Sequence, residues 1–156
     1  MAEEAEAKEQ SARADKIVRN HMIAAVASGV VPIPLVGIGL LGGVQLRMLS
    51  QLAKHYEVEF SEQRANSIIG TLAGTSLPAT ACSLLWMVPG VGHALALIGG
   101  LTLPSASTYA LGQVFIKHFE SGGTFLTFDP ERAKKDYDEK LEEGKNAGQS
   151  YAGIKP

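Results

Sequence analysis

Residues 22–46 read MIAAVASGVVPIPLVGIGLLGGVQL, and residues 65–116 read ANSIIGTLAGTSLPATACSLLWMVPGVGHALALIGGLTLPSASTYALGQVFI; neither stretch contains an Asp, Glu, Lys or Arg. Their lengths are 25 and 52 residues in a chain of 156. Uncharged runs this long rarely arise by chance in a water-exposed chain, whose surface needs charge to be solvated. The 14 basic and 16 acidic residues are crowded into the two ends and the segment between Arg47 and Arg64. The pattern is that of an apolar, membrane-embedded middle carrying polar tails.

The first block is broken at its centre by Pro32-Ile33-Pro34. Two prolines this close cannot both sit inside a regular helix, because each lacks an N–H and crowds the preceding turn. A helical stripe of Ala14, Ile17, Val18, His21, Met22 and Ala25 enters the block, with Arg13, Lys16 and Arg19 off the stripe. The entering helix is predicted to run to about Val31. A second stripe of Leu46, Leu49, Leu52, Ala53 and Tyr56 leaves the block, with Arg47, Gln51 and Lys54 on the other side. A helical hairpin over about 14–57 fits this arrangement; a single kinked span over 22–46 competes with it. Each uncharged arm would be about 15–18 Å long, half the thickness of a hydrocarbon core.

The second block is long enough for two arms that each nearly cross a bilayer. Its predicted turn is Met87-Val88-Pro89-Gly90-Val91-Gly92, giving a second hairpin over about 63–120. Ser121-Gly122-Gly123 signals the end of the last arm. Lys54-His55-Tyr56-Glu57 and Lys117-His118-Phe119-Glu120 echo one another at the two outgoing ends. Beyond lies an apolar, β-leaning Thr124–Phe128, then Asp129-Pro130, which is a helix start with Asp as N-cap and Pro at the first helical position. The helix to about Glu143 carries Ala133, Tyr137 and Leu141 on one stripe and charge elsewhere; residues 144–156 read as flexible. The expected organisation is a polar segment over 1–12, a membrane-associated helical domain over 13–123, and a charged helix and tail over 124–156. The fold class is all-α: two apolar, membrane-embedded hairpins, an amphipathic N-terminal helix and a polar C-terminal one.

Few residues offer chemistry. Gly37-Ile-Gly-Leu-Leu-Gly42 matches a dinucleotide fingerprint but follows no strand and opens no βαβ unit. Gly70–Ser76 resembles a phosphate loop without its lysine. The pairs Gly39/Gly43 and Gly70/Gly74 are better read as close-packing positions between helices in lipid. His21, His55, His93 and His118 show no metal-ligand spacing. His93, inside the apolar block, is the one candidate functional polar group. Cys82 reads as a small buried hydrophobe. The apolar middle contains no acid, so no catalytic pair can be drawn, and neither cofactor nor metal is expected. Near-neutral net charge excludes a general nucleic-acid binder. Arg19, Arg47, Lys54 and Lys117 flank the apolar ends, and even-numbered crossings would put all four on the cytoplasmic side. Trp86, Tyr56 and Tyr109 would suit an aromatic belt.

Arg13-Ala-x-x-Ile-Val, Val31-Pro-Ile-Pro-Leu-Val, Gln45-Leu-Arg-Met-Leu-x-x-Leu-Ala-x-x-Tyr56 and Thr108-Tyr-Ala-Leu-Gly-x-Val-Phe together resemble a bacterial family known as domain of unknown function 697. The resemblance covers about residues 12–123. It implies membrane association and an adjacent small GTPase, which for this chain would be a separate partner, and it brings no catalytic residues. The expected function is a non-enzymatic anchor or scaffold in the cytoplasmic membrane of a bacterium, recruiting a GTPase or shaping the bilayer. Its partners would be the bilayer, a GTPase and further copies of itself in a homo-oligomer. One alternative is an oligomeric channel or transporter subunit with a pathway along Thr71, Thr75, Thr102, Ser105 and Thr108. Another is a soluble helical-bundle interaction protein.

Overall fold

The structure is a computed structural model that describes residues 1–29, 34–76 and 91–151. The described residues form five helices and no strand: α1 (Ala2–Gly29), α2 (Pro34–His55), α3 (Glu62–Ser76), α4 (Val91–Glu120) and α5 (Pro130–Tyr151). Helix α4 is the axis of the bundle, with α1 and α5 packed most extensively along it and α2 and α3 completing the ring.

The two stripes read from the sequence become the inner faces. Helix α1 buries Ala14, Val18, His21, Met22 and Ala25. Helix α2 buries Gln45, Met48, Leu49, Leu52 and Ala53, while Arg47, Gln51 and Lys54 face outward. These helices run antiparallel. The ring Nε2 of His55, at the end of α2, lies 2.8 Å from the carbonyl oxygen of Gln10, near the start of α1. The chain therefore doubles back between Gly29 and Pro34, and a single kinked span over 22–46 is excluded. Pro34 is the first residue of α2, where a missing N–H costs nothing. Pro32 and Ile33 lie outside the described residues.

Several expectations are corrected. Residues 2–12, expected as a polar or frayed helix, are the exposed first turns of α1, which runs on unbroken from Ala2 into the core-facing stripe. The described part of this helix reaches Gly29, and the expected end near Val31 lies outside the described residues. Gly92 belongs to the first turn of α4 and not to a loop; the side chain of neighbouring His93, together with Pro89 and Gly90, falls outside the described residues. Thr124–Phe128 forms a turn in place of an extended segment. Residues 144–151 continue α5 where flexibility was expected. The reason is packing: Gly144 presses against the backbone of Ala106, and Gly148 against Ser105 and Thr102. These glycines let the last two turns of α5 lie flush on α4, which outweighs their poor helix propensity.

At the closed end of the bundle, Phe115 stacks on Phe128 with ring centroids 4.5 Å apart, and Phe119 and Phe125 lie edge-on or tilted beside it. Helix α4 stops in a glycine cap: Gly122 adopts φ +80°, the N–H of Gly123 donates to the His118 carbonyl, and that of Gly122 donates to Phe119. Helix α2 closes the same way with Glu57 at φ +56°. The two echoing segments meet here, Tyr56 lying 5.8 Å from Phe119 between ring centroids and donating a 3.0 Å hydrogen bond to Glu120. The caps fall at different positions of the repeat, so His55 and His118 bind different carbonyls.

Close approach of α1 to α4 depends on Gly112. A Cβ placed there would lie 2.8 Å from Val18 Cγ1 and closer still to Val18 Cγ2. Gly112→Ala is expected to destabilise the fold by about 1–3 kcal/mol, and Val18→Ala in the same chain to recover part of that loss; chemical denaturation of the two single variants and the double variant measures both effects.

Candidate membrane interface

The informative feature is a change of surroundings along one unbroken helix. From Gln45 to Ala53, α2 is buried on its inner side. From Val36 to Leu40 it exposes its largest apolar side chains: Val36 at 46%, Ile38 at 62% and Leu40 at 48%. On α1, Ile23 is likewise exposed, at 52%. Val36–His55 is, among the described residues, the helix segment long and apolar enough to cross a bilayer, and one third of it is buried.

On the open face of α2, Val36, Leu40, Gly43, Arg47, Gln51 and Lys54 succeed one another at steps of three and four, and every one of them is exposed. This face passes from apolar to basic along its length. The exposed face of α1 does the same in reverse, from Lys16 and Arg19 to Ile23. Antiparallel pairing, with Gln10 beside His55, brings Lys16 to the level of Arg47 and Arg19 about one turn further from His55. At 1.5 Å per residue, Arg19 is about 15 Å from Gly29 and Arg47 about 20 Å from Pro34. Half of a hydrocarbon core is about 15 Å.

The other two basic flanks do not share this position. Lys54 is in the last turn of α2, about 30 Å from its start, and Lys117 is paired with Asp136 of α5. Their adjacency to apolar sequence reflects the protein core, not the edge of an exposed apolar surface. For Tyr56 and Tyr109 packing is the alternative to a belt, and both make contacts within the chain: Tyr56 belongs to the aromatic cluster and Tyr109 donates to Glu143. Trp86 and Cys82 lie outside the described residues.

The glycines expected to pack helices are also relocated. A Cβ at Gly39, Gly43 or Gly70 would meet nothing within 4 Å, so no close approach occurs at them within this chain. The surroundings of Gly74 fall outside the described residues. The positions where helices touch closely are Gly112, Gly144 and Gly148. They escape sequence reading because no second glycine stands four residues from Gly112, and because the charged neighbourhood of Gly144 and Gly148 reads as a tail. The four-residue spacing of that last pair is the signal that could have found them.

Three residues of the polar pathway expected for a channel lie inside this single chain. Thr102, Ser105 and Thr108 are buried in the interior, and Thr108 returns its hydroxyl to the Pro104 carbonyl at 2.8 Å. Such back-bonding to the carbonyl four residues earlier satisfies a buried hydroxyl within its own helix. Thr71 donates to the Ser67 carbonyl on its own helix; the side chain of Thr75 falls outside the described residues.

A buried polar chain crosses the bundle below the exposed apolar face. Gln45 Nε2 donates to Ser107 Oγ at 3.0 Å, and Ser107 Oγ shares a 2.9 Å hydrogen bond with the hydroxyl of Tyr137. It ties α2, α4 and α5 together, and each member satisfies a group that would otherwise be costly to bury. Burial pushes the Tyr137 hydroxyl from its ordinary 10.0 up to about 12, with Ser107 opposing the shift. A raised acid pKa in the folded state gives stability that is complete below pH 10 and is lost as pH climbs through about 12. In an alkaline titration, loss of helicity is therefore expected to accompany phenolate formation, and Tyr137→Phe is expected to make stability fall less steeply over that window.

The three histidines with described side chains are all engaged structurally. His21 Nδ1 lies 2.8 Å from the Ile17 carbonyl, His118 Nε2 lies 2.9 Å from that of Thr124, and His55 is held by Gln10. Among the described residues, no group of three His, Cys, Asp or Glu is placed to hold a metal. A shallow cleft between α4 and α5 is lined by Gln113, Lys117, Asp136, Glu139 and Lys140. Its lysines are matched by acids, Lys117 by Asp136 and Lys140 by Glu143.

No solved structure matches the chain. Magnetosome membrane protein 22 of Magnetospirillum gryphiswaldense is 35% identical over 137 residues, covering 85% of this chain and 70% of that protein. A family model described as a domain of unknown function, DUF697, matches residues 1–142. With that model spanning α1 to most of α5, and the relative covering most of the chain, the protein belongs to the DUF697 family.

Proposed function

We propose that the protein is a non-enzymatic membrane anchor, holding a folded helical base at the cytoplasmic face of a bacterial membrane. The observation that carries this reading is the open apolar surface of Val36, Ile38 and Leu40 on a helix whose other half is core. In water, that surface and Ile23 would form an unsolvated apolar tip; in lipid they are at no disadvantage. The relative's description as a membrane protein supports the same placement. Helices α1 and α2 form a shallow hairpin that fills one leaflet. A one-leaflet wedge can also shape the bilayer. Recruitment of a separate GTPase and self-association through the open Gly39/Gly43 face complete the scaffold.

Membrane fractionation with successive high-salt and alkaline carbonate washes tests this. Retention through both washes supports insertion. Release by salt, or a protein found wholly in the soluble fraction, refutes it.

A further inference from the structure

We propose that the shoulder formed by Lys16, Arg19 and Arg47 binds the phosphates of anionic phospholipids, setting how deeply the α1–α2 hairpin enters one leaflet. The inference deepens the anchor reading and rests on it. Three observations combine. First, all three side chains are exposed, and among the described residues no ion pair involves any of them. Of the acids near them, Glu9 pairs with Arg13, and Asp15 accepts from Gln113 at 2.7 Å while keeping its charge, so the shoulder retains an excess of positive charge. Second, the shoulder directly adjoins the apolar surface on both helices, since Ile23 is one turn from Arg19 and Leu40 two turns from Arg47. Third, its depth of about 15–20 Å below the connected end matches one hydrocarbon leaflet, so the charges meet the headgroup layer when the apolar residues are immersed. Lys117, by contrast, is neutralised by Asp136 and is excluded from the shoulder.

A basic side chain at that level gains from the negative surface potential and from direct pairing with phosphate, and guanidinium groups present paired donors that fit phosphate oxygens. Binding is thus two-pronged: apolar residues supply insertion, and the shoulder supplies lipid selection.

The test compares the full chain on phosphatidylcholine vesicles with vesicles containing one third phosphatidylglycerol, at low and high salt. The wild type is expected to partition to the anionic vesicles more tightly by on the order of a hundredfold at low salt, shrinking as salt rises. Lys16→Gln with Arg19→Gln and Arg47→Gln should abolish most of that preference. Lys16→Arg with Arg19→Lys and Arg47→Lys should keep it, and so should Lys134→Gln with Lys135→Gln on the exposed face of α5. Circular dichroism verifies that each variant retains its helices. Equal wild-type partition to the two vesicle types, or an unchanged preference in the triple glutamine variant, overturns the inference. Carbonate extraction of the vesicle-bound wild type reads insertion separately. Release from both vesicle types would overturn the anchor reading itself, whereas retention on both without preference would overturn the lipid selection alone.

Discussion

Ile38→Glu together with Leu40→Glu is expected to abolish the retention through carbonate that the proposed anchor predicts for the wild type. Both side chains are about half exposed or more, so neither substitution removes a core contact from the base. In the bilayer the cost is large. A carboxylate near the centre of an inserted helix is disfavoured by about 3 kcal/mol relative to the apolar residue it replaces, so the pair opposes insertion by about 6 kcal/mol. The base should keep its thermal transition in detergent, because the α2 residues that pack it begin at Gln45. Release of the variant with an unchanged transition would tie membrane retention to this surface. Full retention through carbonate would mean that the α2 surface contributes little to anchoring, leaving the second apolar block to account for it.

Phe115→Ala acts at the opposite end of the molecule and on the opposite property. Phe115 is fully buried, stacks on Phe128, and touches Phe119 and Phe125. Truncating it removes the centre of the cluster that fixes the α4–α5 connection, at an expected cost of about 3–5 kcal/mol. Urea denaturation in mild detergent would measure the loss. Protease sensitivity around Thr124–Asp129 should rise with it, since Phe125 and Phe128 hold that turn down. A loss below about 1 kcal/mol would show that the cavity collapses and that the cluster is less central to stability than its burial implies.

Much of this architecture can be read from residue spacing. The stripes on α1 and α2 are inner faces because each repeats at three- and four-residue steps over several turns. Asp129 and Pro130 mark the start of α5, and the Asp129 carboxylate does accept from the N–H groups of Glu131 and Arg132. Gly122 marks the end of α4 for a reason local to the chain, its left-handed backbone. The features that stay hidden depend on partners distant in sequence. Gln45 is 62 residues from Ser107, and nothing near either one announces the other. Gly144 and Gly148 look like helix breakers until α4 is laid beneath them. The same logic separates the basic flanks. Arg19, Arg47, Lys54 and Lys117 are alike as neighbours of apolar sequence, yet apolar sequence serves both an exposed surface and a protein core. Only the packed structure divides them, with Lys117 claimed by Asp136 and Arg19 and Arg47 left beside the open face.

Helix α2 also has a mechanical meaning. It is a single rod of 22 residues from Pro34 to His55, about 33 Å long, half outside the core and half within it. Such a rod is stiff over its length, so a change in inclination at the outer half cannot be absorbed before it reaches the inner half. A tilt of about 10° would swing one end by about 6 Å relative to the other over that length. His55, at the far end, is fastened to the Gln10 carbonyl, and Tyr56 beyond it to Glu120. With the hairpin in lipid as proposed, thickness or tension in the bilayer would thereby be levered onto the closed end of the bundle.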